Sequence, residues 1–142
     1  MECVSKSKQI GKSRDIAVVI GGEQLAKVLK IGKNKKLVNE FMQLSDLSSV
    51  VLACRVSPKQ KASIVNLVRE YKKNVTTLAI GDGANDVNMI TAAHIGIGIS
   101  GLEGQQAARA ADYTIGQFRF LKNLLFVHGR EAYRRNSYLI LY

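Results

Sequence analysis

The chain has 142 residues, of which 46% are hydrophobic, enough for a domain with a real core and too apolar for a disordered segment. Lys and Arg outnumber Asp and Glu by 21 to 11, and the net charge of +10 suits nucleic acid, an anionic membrane face or a phosphorylated ligand without choosing among them. Cys3 and Cys54 have neither metal nor disulfide spacing, so a reducing, cytosolic setting is the default; no signal peptide is visible, and no apolar run reaches the length of a membrane-spanning helix.

Residues 1–15 read as a flexible lead-in or linker remnant rich in Ser, Lys and Gly. Asp15-Ile-Ala-Val-Val-Ile20 has the pattern of a short buried strand, ended by Gly21-Gly22. Two helices follow, Glu23 to Leu29 and Leu37 to Leu47, the second with Leu37, Val38, Phe41 and Leu44 at helical spacing. Between them Lys27, Lys30, Lys33, Lys35 and Lys36 surround Ile31-Gly32 as a solvated face. Ser49 to Cys54 is a second buried strand. Ser57 then caps a helix with Pro58 in its first position, running to about Tyr71 and burying Ile64, Val65, Leu67 and Val68.

Val75 to Ile80 is the third strand, and a helix is expected from Asp86 to Ala93. Ile95-Gly-Ile-Gly-Ile99 is a strand whose small residues let neighbours approach closely. A turn, a short alanine-rich helix at Gln105 to Ala111 and a last strand at Asp112 to Ile115 complete the alternation. From Gln117 the pattern is helical to the end. Strands alternating with helices argue an α/β fold, a parallel sheet with helices on both faces.

The chemistry concentrates in Gly81-Asp-Gly-Ala-Asn-Asp86, a tight turn between strand and helix. In open α/β sheets ligands sit at the carboxyl ends of strands, where such a turn lies. Gly83 lets the backbone approach a ligand, Asn85 is a good helix cap, and the helix start favours an anion. Asp82 points electrically the other way, towards a cation. A carboxylate beside an anion-binding helix start suggests a Mg²⁺–phosphate site. Lys61, in the first turn of the preceding helix, is electrostatically misplaced unless an anion lies between them.

The turn resembles the fourth motif of the haloacid dehalogenase-like superfamily, Gly-Asp-Gly-x-Asn-Asp, shared by soluble phosphatases and P-type ATPases. Three stretches narrow the choice. Cys54-Arg-Val-Ser-Pro-Lys-Gln-Lys61, Leu78 to Ile90, and Gln117-Phe-Arg-Phe-Leu to His128-Gly-Arg130 look like the phospholipid-transporting P-type ATPases, the lipid flippases. Gly96-Ile-Gly-Ile-Ser-Gly-Leu-Glu-Gly-Gln-Gln-Ala107 and the tail point to flippases in particular. The similarity runs from about Ile16 to Tyr142 and implies a Rossmann-like, haloacid dehalogenase-like sheet, with residues 16–117 the rear of the phosphorylation domain and 118–142 a stalk helix leading to a membrane helix.

The resemblance also implies roles. Asp82 would be a Mg²⁺ ligand, with Asp86 its companion; Asn85 and Asp86 would hold the phosphoryl group, and Lys61 would neutralise its oxygens. Arg55, Lys61, Asn85 and Asp86 form the cofactor-binding set, and Lys61, Asp82, Asn85 and Asp86 the catalytic set. ATP and a phospholipid would be the substrates of the longer protein, an integral membrane protein with this segment on the cytoplasmic side; an accessory subunit is compatible with the family and nucleic acid is not expected. The Asp-Lys-Thr-Gly-Thr segment that is phosphorylated, the Thr-Gly-Asp segment, the nucleotide-binding and actuator domains and the membrane helices are not in this sequence, so the chain is expected to be a fragment without ATPase activity of its own. The family usually reads Asp-Gly where this chain has Gly21-Gly22.

With those strands missing, the Val50–Cys54 strand is expected to pair directly with Val75–Ile80; self-association of two chains through the exposed edge is the alternative. A soluble phosphatase would need an Asp-x-Asp nucleophile after an early strand, and Asp15 precedes its strand. A basic module binding nucleic acid or membrane leaves the Asp82–Asp86 constellation unexplained.

Overall fold

The computed structural model describes residues 16–29, 35–101 and 105–142. The lead-in, Lys30, Lys33 and the turn at 102–104 lie outside the described residues. The chain forms two compact units, one ending at Val75 and the other beginning at Thr76.

In the first unit β1 (Ala17–Gly21) pairs in parallel with β2 (Val50–Cys54), Ala17 opposite Val50 and Gly21 opposite Cys54. The crossover between them is α1 (Gly22–Leu29) and α2 (Lys35–Leu47), and α3 (Pro58–Tyr71) follows β2. Helix α1 touches both strands and both other helices, so its apolar stripe is the centre of the unit. Leu25 and Val28 are buried there, as are Met42 of α2 and Leu67 of α3. Ile64, Val65 and Val68 are half-buried. The cap expected at Ser57 is present as a reciprocal pair: Gln60 N–H donates to Ser57 Oγ at 3.3 Å, and Ser57 N–H donates to Gln60 Oε1 at 2.8 Å. Two of the donors that a helix start leaves without intrahelical partners are thereby satisfied.

β2 is not the buried strand expected. Val50, Val51 and Leu52 are 47%, 40% and 52% exposed. Its one ladder partner among the described residues is β1, and a two-stranded sheet has too little surface to cover both faces of a strand.

In the second unit β3 (Leu78–Gly81), β4 (Ile95–Ile99) and β5 (Tyr113–Ile115) form a parallel sheet in that order. The register sets Ala79 opposite Gly96 and Gly81 opposite Gly98, which places these four small residues on one face. Helices α4 (Val87–Ala92) and α5 (Gln106–Ala110) pack there. A Cβ at Gly96 would lie 2.6 Å from Ile90 Cγ2, and one at Gly98 would lie 2.6 Å from Ala108 Cα. This is the close approach expected of the Gly96 and Gly98 strand. On the opposite face Ile95, Ile97 and Tyr113 line a cavity of about 370 Å³ together with Leu124, Leu125 and His128 of the tail. Parallel strands thus carry helices on both faces, and the protein is of the α/β class.

Two expectations are corrected. The described strands form two sheets, so Val50–Cys54 and Val75–Ile80 do not pair directly. The third strand begins at Leu78, because Thr77 is engaged by a side chain: its N–H donates to His94 Nδ1 at 3.1 Å. The tail is helical throughout, as its pattern predicts, but changes geometry: a 3-10 turn at Phe118–Phe120, α6 (Leu121–Asn123), a π-helical segment at Leu124–Gly129, and α7 (Arg130–Leu141). No helix among the described residues is long and apolar enough to cross a membrane.

Gln60 Nε2 also donates to Gly22 C=O at 2.6 Å, tying the start of α3 to the start of α1. Ser57→Ala is expected to cost about 0.5–2 kcal/mol of stability. Gln60→Ala loses the side-chain half of the cap and the tie and should cost more than Ser57→Ala; urea unfolding of the two variants checks the order.

Candidate functional site

β3 ends at Gly81, and the chain bends through Asp82 and Gly83 into a single 3-10 turn, Ala84–Asp86, before α4 begins at Val87. Asp86 N–H donates to Gly83 C=O at 3.1 Å and closes the turn. Asn85 is therefore inside the turn rather than capping a helix: the N-cap position belongs to Gly83, which has no side chain to offer. A helix start of this kind is tighter than an α-turn, and it takes the place of the first residues expected in the α-helix.

The three polar side chains of the turn have different surroundings. Asp82 and Asn85 are exposed, whereas Asp86 is 9% exposed. The reason for the last is Gly81. A Cβ at Gly81 would run into Asp86 Cβ and lie 2.9 Å from Asp86 Oδ2, so the carboxylate sits directly over the end of β3. Gly83, the glycine that the sequence singled out for close approach, has φ −122° and nothing nearer to an added Cβ than Asn85 N at 4.0 Å. The steric requirement falls on the first glycine of the motif instead. Its position as the last residue of an apolar strand, two before another glycine, was the available signal.

Arg55 and Lys61 belong to the first unit. Lys61 is half-buried in the first turn of α3, where its N–H donates to Ser57 C=O at 3.1 Å. This is the end of a helix at which a cation is disfavoured by the backbone dipole. Arg55 has φ 52°, the left-handed region, a strain on the order of 1 kcal/mol for a residue with a Cβ. Its carbonyl is what a Cβ at Gly22 would strike, so the close approach there requires glycine. Sequence reasoning missed Gln60, whose two-sided role in the Ser57 cap and the Gly22 tie holds this corner; the Ser-x-x-Gln spacing was its signal.

The oxygen donors of Asp82 and Asp86 suit a hard cation such as Mg²⁺. Among the described residues no three or more His, Cys, Asp or Glu side chains gather to hold a metal by themselves. A Mg²⁺ ion ordinarily takes one or two carboxylates and completes its shell with phosphate and water, so the donor set fits that mode of binding.

The model of the family described as phospholipid-translocating P-type ATPase C-terminal matches residues 108–142. The chain is 49% identical over 128 residues to the probable phospholipid-transporting ATPase IM of Homo sapiens, covering 90% of this chain and 10% of that protein. It is 50% identical over 129 residues to phospholipid-transporting ATPase 2 of Arabidopsis thaliana, covering 91% of this chain and 11% of the relative. It is 47% identical over 141 residues to the probable phospholipid-transporting ATPase DNF3 of Saccharomyces cerevisiae, covering 99% and 8%. The chain thus spans about a tenth of the length of the curated relatives it matches.

The packing of the turn makes a prediction of its own. Gly81→Ala is expected to displace Asp86 and to cost about 1–3 kcal/mol. Gly83→Ala, with open space around it, is expected to change stability by less than about 0.5 kcal/mol. Chemical denaturation with the amide signals of residues 82–87 checks both the energy and the displacement.

Proposed function

The chain belongs to the phospholipid-transporting P-type ATPases, and on that premise we propose that it carries the Mg²⁺- and phosphoryl-handling part of an ATP-driven phospholipid translocase. The observation that carries this is half identity over nine-tenths of the chain to proteins of that name, with the turn from Gly81 to Asp86 intact. Nothing in the structure favours a soluble phosphatase or a nucleic-acid-binding module over it.

The proposed roles follow the chemistry of phosphoryl transfer, which needs positioning and charge neutralisation more than elaborate covalent work. Asp82, exposed at the tip of the turn, is the Mg²⁺ ligand, with Asp86 supporting it from its packed position over Gly81. The ion, when bound, supplies positive charge to phosphoryl oxygens. Asn85 offers an exposed amide to the phosphoryl group. Lys61 neutralises phosphoryl oxygens, and an anion beside it removes the electrostatic conflict with the start of α3. Arg55 completes the cofactor-binding set. The aspartate that becomes phosphorylated is not among these residues, so the chain by itself is proposed to be without ATPase activity.

The tail is proposed as a stalk that joins this domain to a membrane helix, with the segment on the cytoplasmic side. What supports it is the exposed end of α7, where Leu139, Ile140 and Leu141 are 79%, 82% and 81% exposed after the basic group Arg130, Arg134 and Arg135. Basic residues just before a membrane helix agree with the positive-inside rule.

The test uses a phospholipid-transporting ATPase that carries this sequence. Asp82→Asn and Lys61→Ala are each expected to lower ATPase turnover by about 10²–10³. Turnover within about twofold of the parent for either variant would reject the role given to that residue. Phosphate release by the 142-residue chain alone, lost on Asp82→Ala, would show that the reading as a non-hydrolysing part is wrong.

A further inference from the structure

Two side chains stitch the leading ends of the three strands in the second unit. Asp112 Oδ2 accepts from Gly96 N–H at 2.7 Å, linking the lead-in of β5 to β4. His94 Nδ1 accepts from Thr77 N–H at 3.1 Å, linking the lead-in of β4 to that of β3. The second link is made by an imidazole ring, whose hydrogen-bonding role depends on its protonation.

A backbone N–H is an obligate donor, so Nδ1 must present its lone pair and the neutral ring carries its proton on Nε2. The rest of Thr77 is committed to the same neighbours. Its hydroxyl oxygen lies 2.9 Å from Nδ1 and accepts from His94 N–H at 3.1 Å. Its carbonyl accepts from His94 N–H at 3.2 Å and from Ile95 N–H at 3.1 Å. Thr77 is the second residue of the unit, so these bonds fasten the chain where it enters.

We propose that the Thr77–His94 contact is a proton-sensitive latch on the leading end of β3. With the ring protonated, Nδ1–H faces Thr77 N–H, donor against donor. The new proton can turn to Thr77 Oγ1, but the backbone N–H has then lost its acceptor. His94 is exposed and Thr77 half-buried, so water takes over the freed group and the opening is local. Thr77 N–H and C=O both point to the β4 side, so release begins at this residue and frays β3 in the direction of Gly81.

The elements around the ring carry few ionisable side chains. β3, α4 and β4 carry no ionisable side chain. α5 contributes Arg109, β5 contributes Tyr113, and Asp112 is occupied by Gly96 N–H. Lys72 and Lys73 belong to the first unit, where Lys72 is paired with Asp46. His128 of the tail lines the same cavity as Ile95, and Asp82 and Asp86 stand at the other end of β3. Among the described residues none of these forms an ion pair with His94.

The test is an NMR titration of the ¹⁵N-labelled 142-residue chain from about pH 8 to about pH 5, following the ring nitrogens of both histidines and the amides of residues 77–81. The expected result is an unprotonated Nδ1 on His94 at the upper end, and a Thr77 amide signal that moves with the midpoint of the His94 titration and not with that of His128. Leu78 and Ala79 should follow with smaller changes. In His94→Asn, the amide oxygen stands near the place of Nδ1 as an acceptor that does not titrate, so the Thr77 signal should keep its bonded position and lose its pH response. A Thr77 amide that stays fixed while His94 titrates overturns the proposal, as does a ring proton on Nδ1 at pH 8 or a full response in His94→Asn. The titration of the unsubstituted chain decides the matter even if the variant does not fold.

Discussion

The second unit depends on side chains that are absent. Gly81, Gly96 and Gly98 share one face of the β3–β4 pair with Ala79, and at these three glycines the backbone lies close against Asp86, Ile90, Ala107 and Ala108. Van der Waals packing at such distances tolerates no Cβ, since adding volume to a filled contact forces the helix or the strand to move. The smooth face sets how closely α4 and α5 lie, and it sets the candidate site as well. Asp86 is one more group resting on the same surface, over Gly81. Its carboxylate is placed by core packing, while Asp82 and Asn85, four and one residues earlier, project from a turn whose two ends are fixed by β3 and α4.

Much of this was legible in the chain. Alternating Ile and Gly over residues 95–99 can hardly be anything but a strand with one bare face, and it is one. Ser57-Pro58 announces the start of α3, and the structure has the full reciprocal cap. The Gly-Asp-Gly-x-Asn-Asp string announces a tight turn between strand and helix, and the structure has one there. What was not legible depends on neighbours. The apolar run at Val50–Cys54 reads as buried because apolar runs usually are, but burial needs surfaces on both sides, and β2 has only β1 as a ladder partner among the described residues. Val75 to Thr77 read as strand by composition, yet a histidine seventeen residues away takes the Thr77 N–H. Asn85 reads as a cap by residue preference, and the 3-10 geometry of residues 84–86 shifts the cap to Gly83. Local preference is a weak prior wherever a tertiary contact competes for the same backbone group.

The two units repeat one arrangement with opposite charge. Each has a parallel strand that ends in a short loop and passes into a helix, and each places its candidate groups in that junction. After β2 the groups are cationic, Arg55 and Lys61; after β3 they are anionic, Asp82 and Asp86. Each junction is also locally constrained, the first by Gly22 under the Arg55 carbonyl and the second by Gly81 under Asp86. Glycine at both corners lets strand and helix meet closely enough to hold the polar groups at the strand ends.

The tail poses a different physical problem. A helix as short as α7, twelve residues, is marginal in water by itself, because the first turn is costly to form. Here the first turns are supplied by the preceding segment, which is already helical from Phe118 and lies along the sheet through Leu124, Leu125 and His128. The π-helical stretch ends at Gly129, where an added Cβ would come 3.3 Å from Leu124 C=O, so the wider turn closes on a residue without a side chain. Helix α7 then continues with no buried residue, and its apolar end at Tyr138–Leu141 gains nothing from its own unit. An apolar helix end that finds no apolar surface in its own unit suits apolar surroundings that the unit does not supply. In the proposed stalk those surroundings are the membrane.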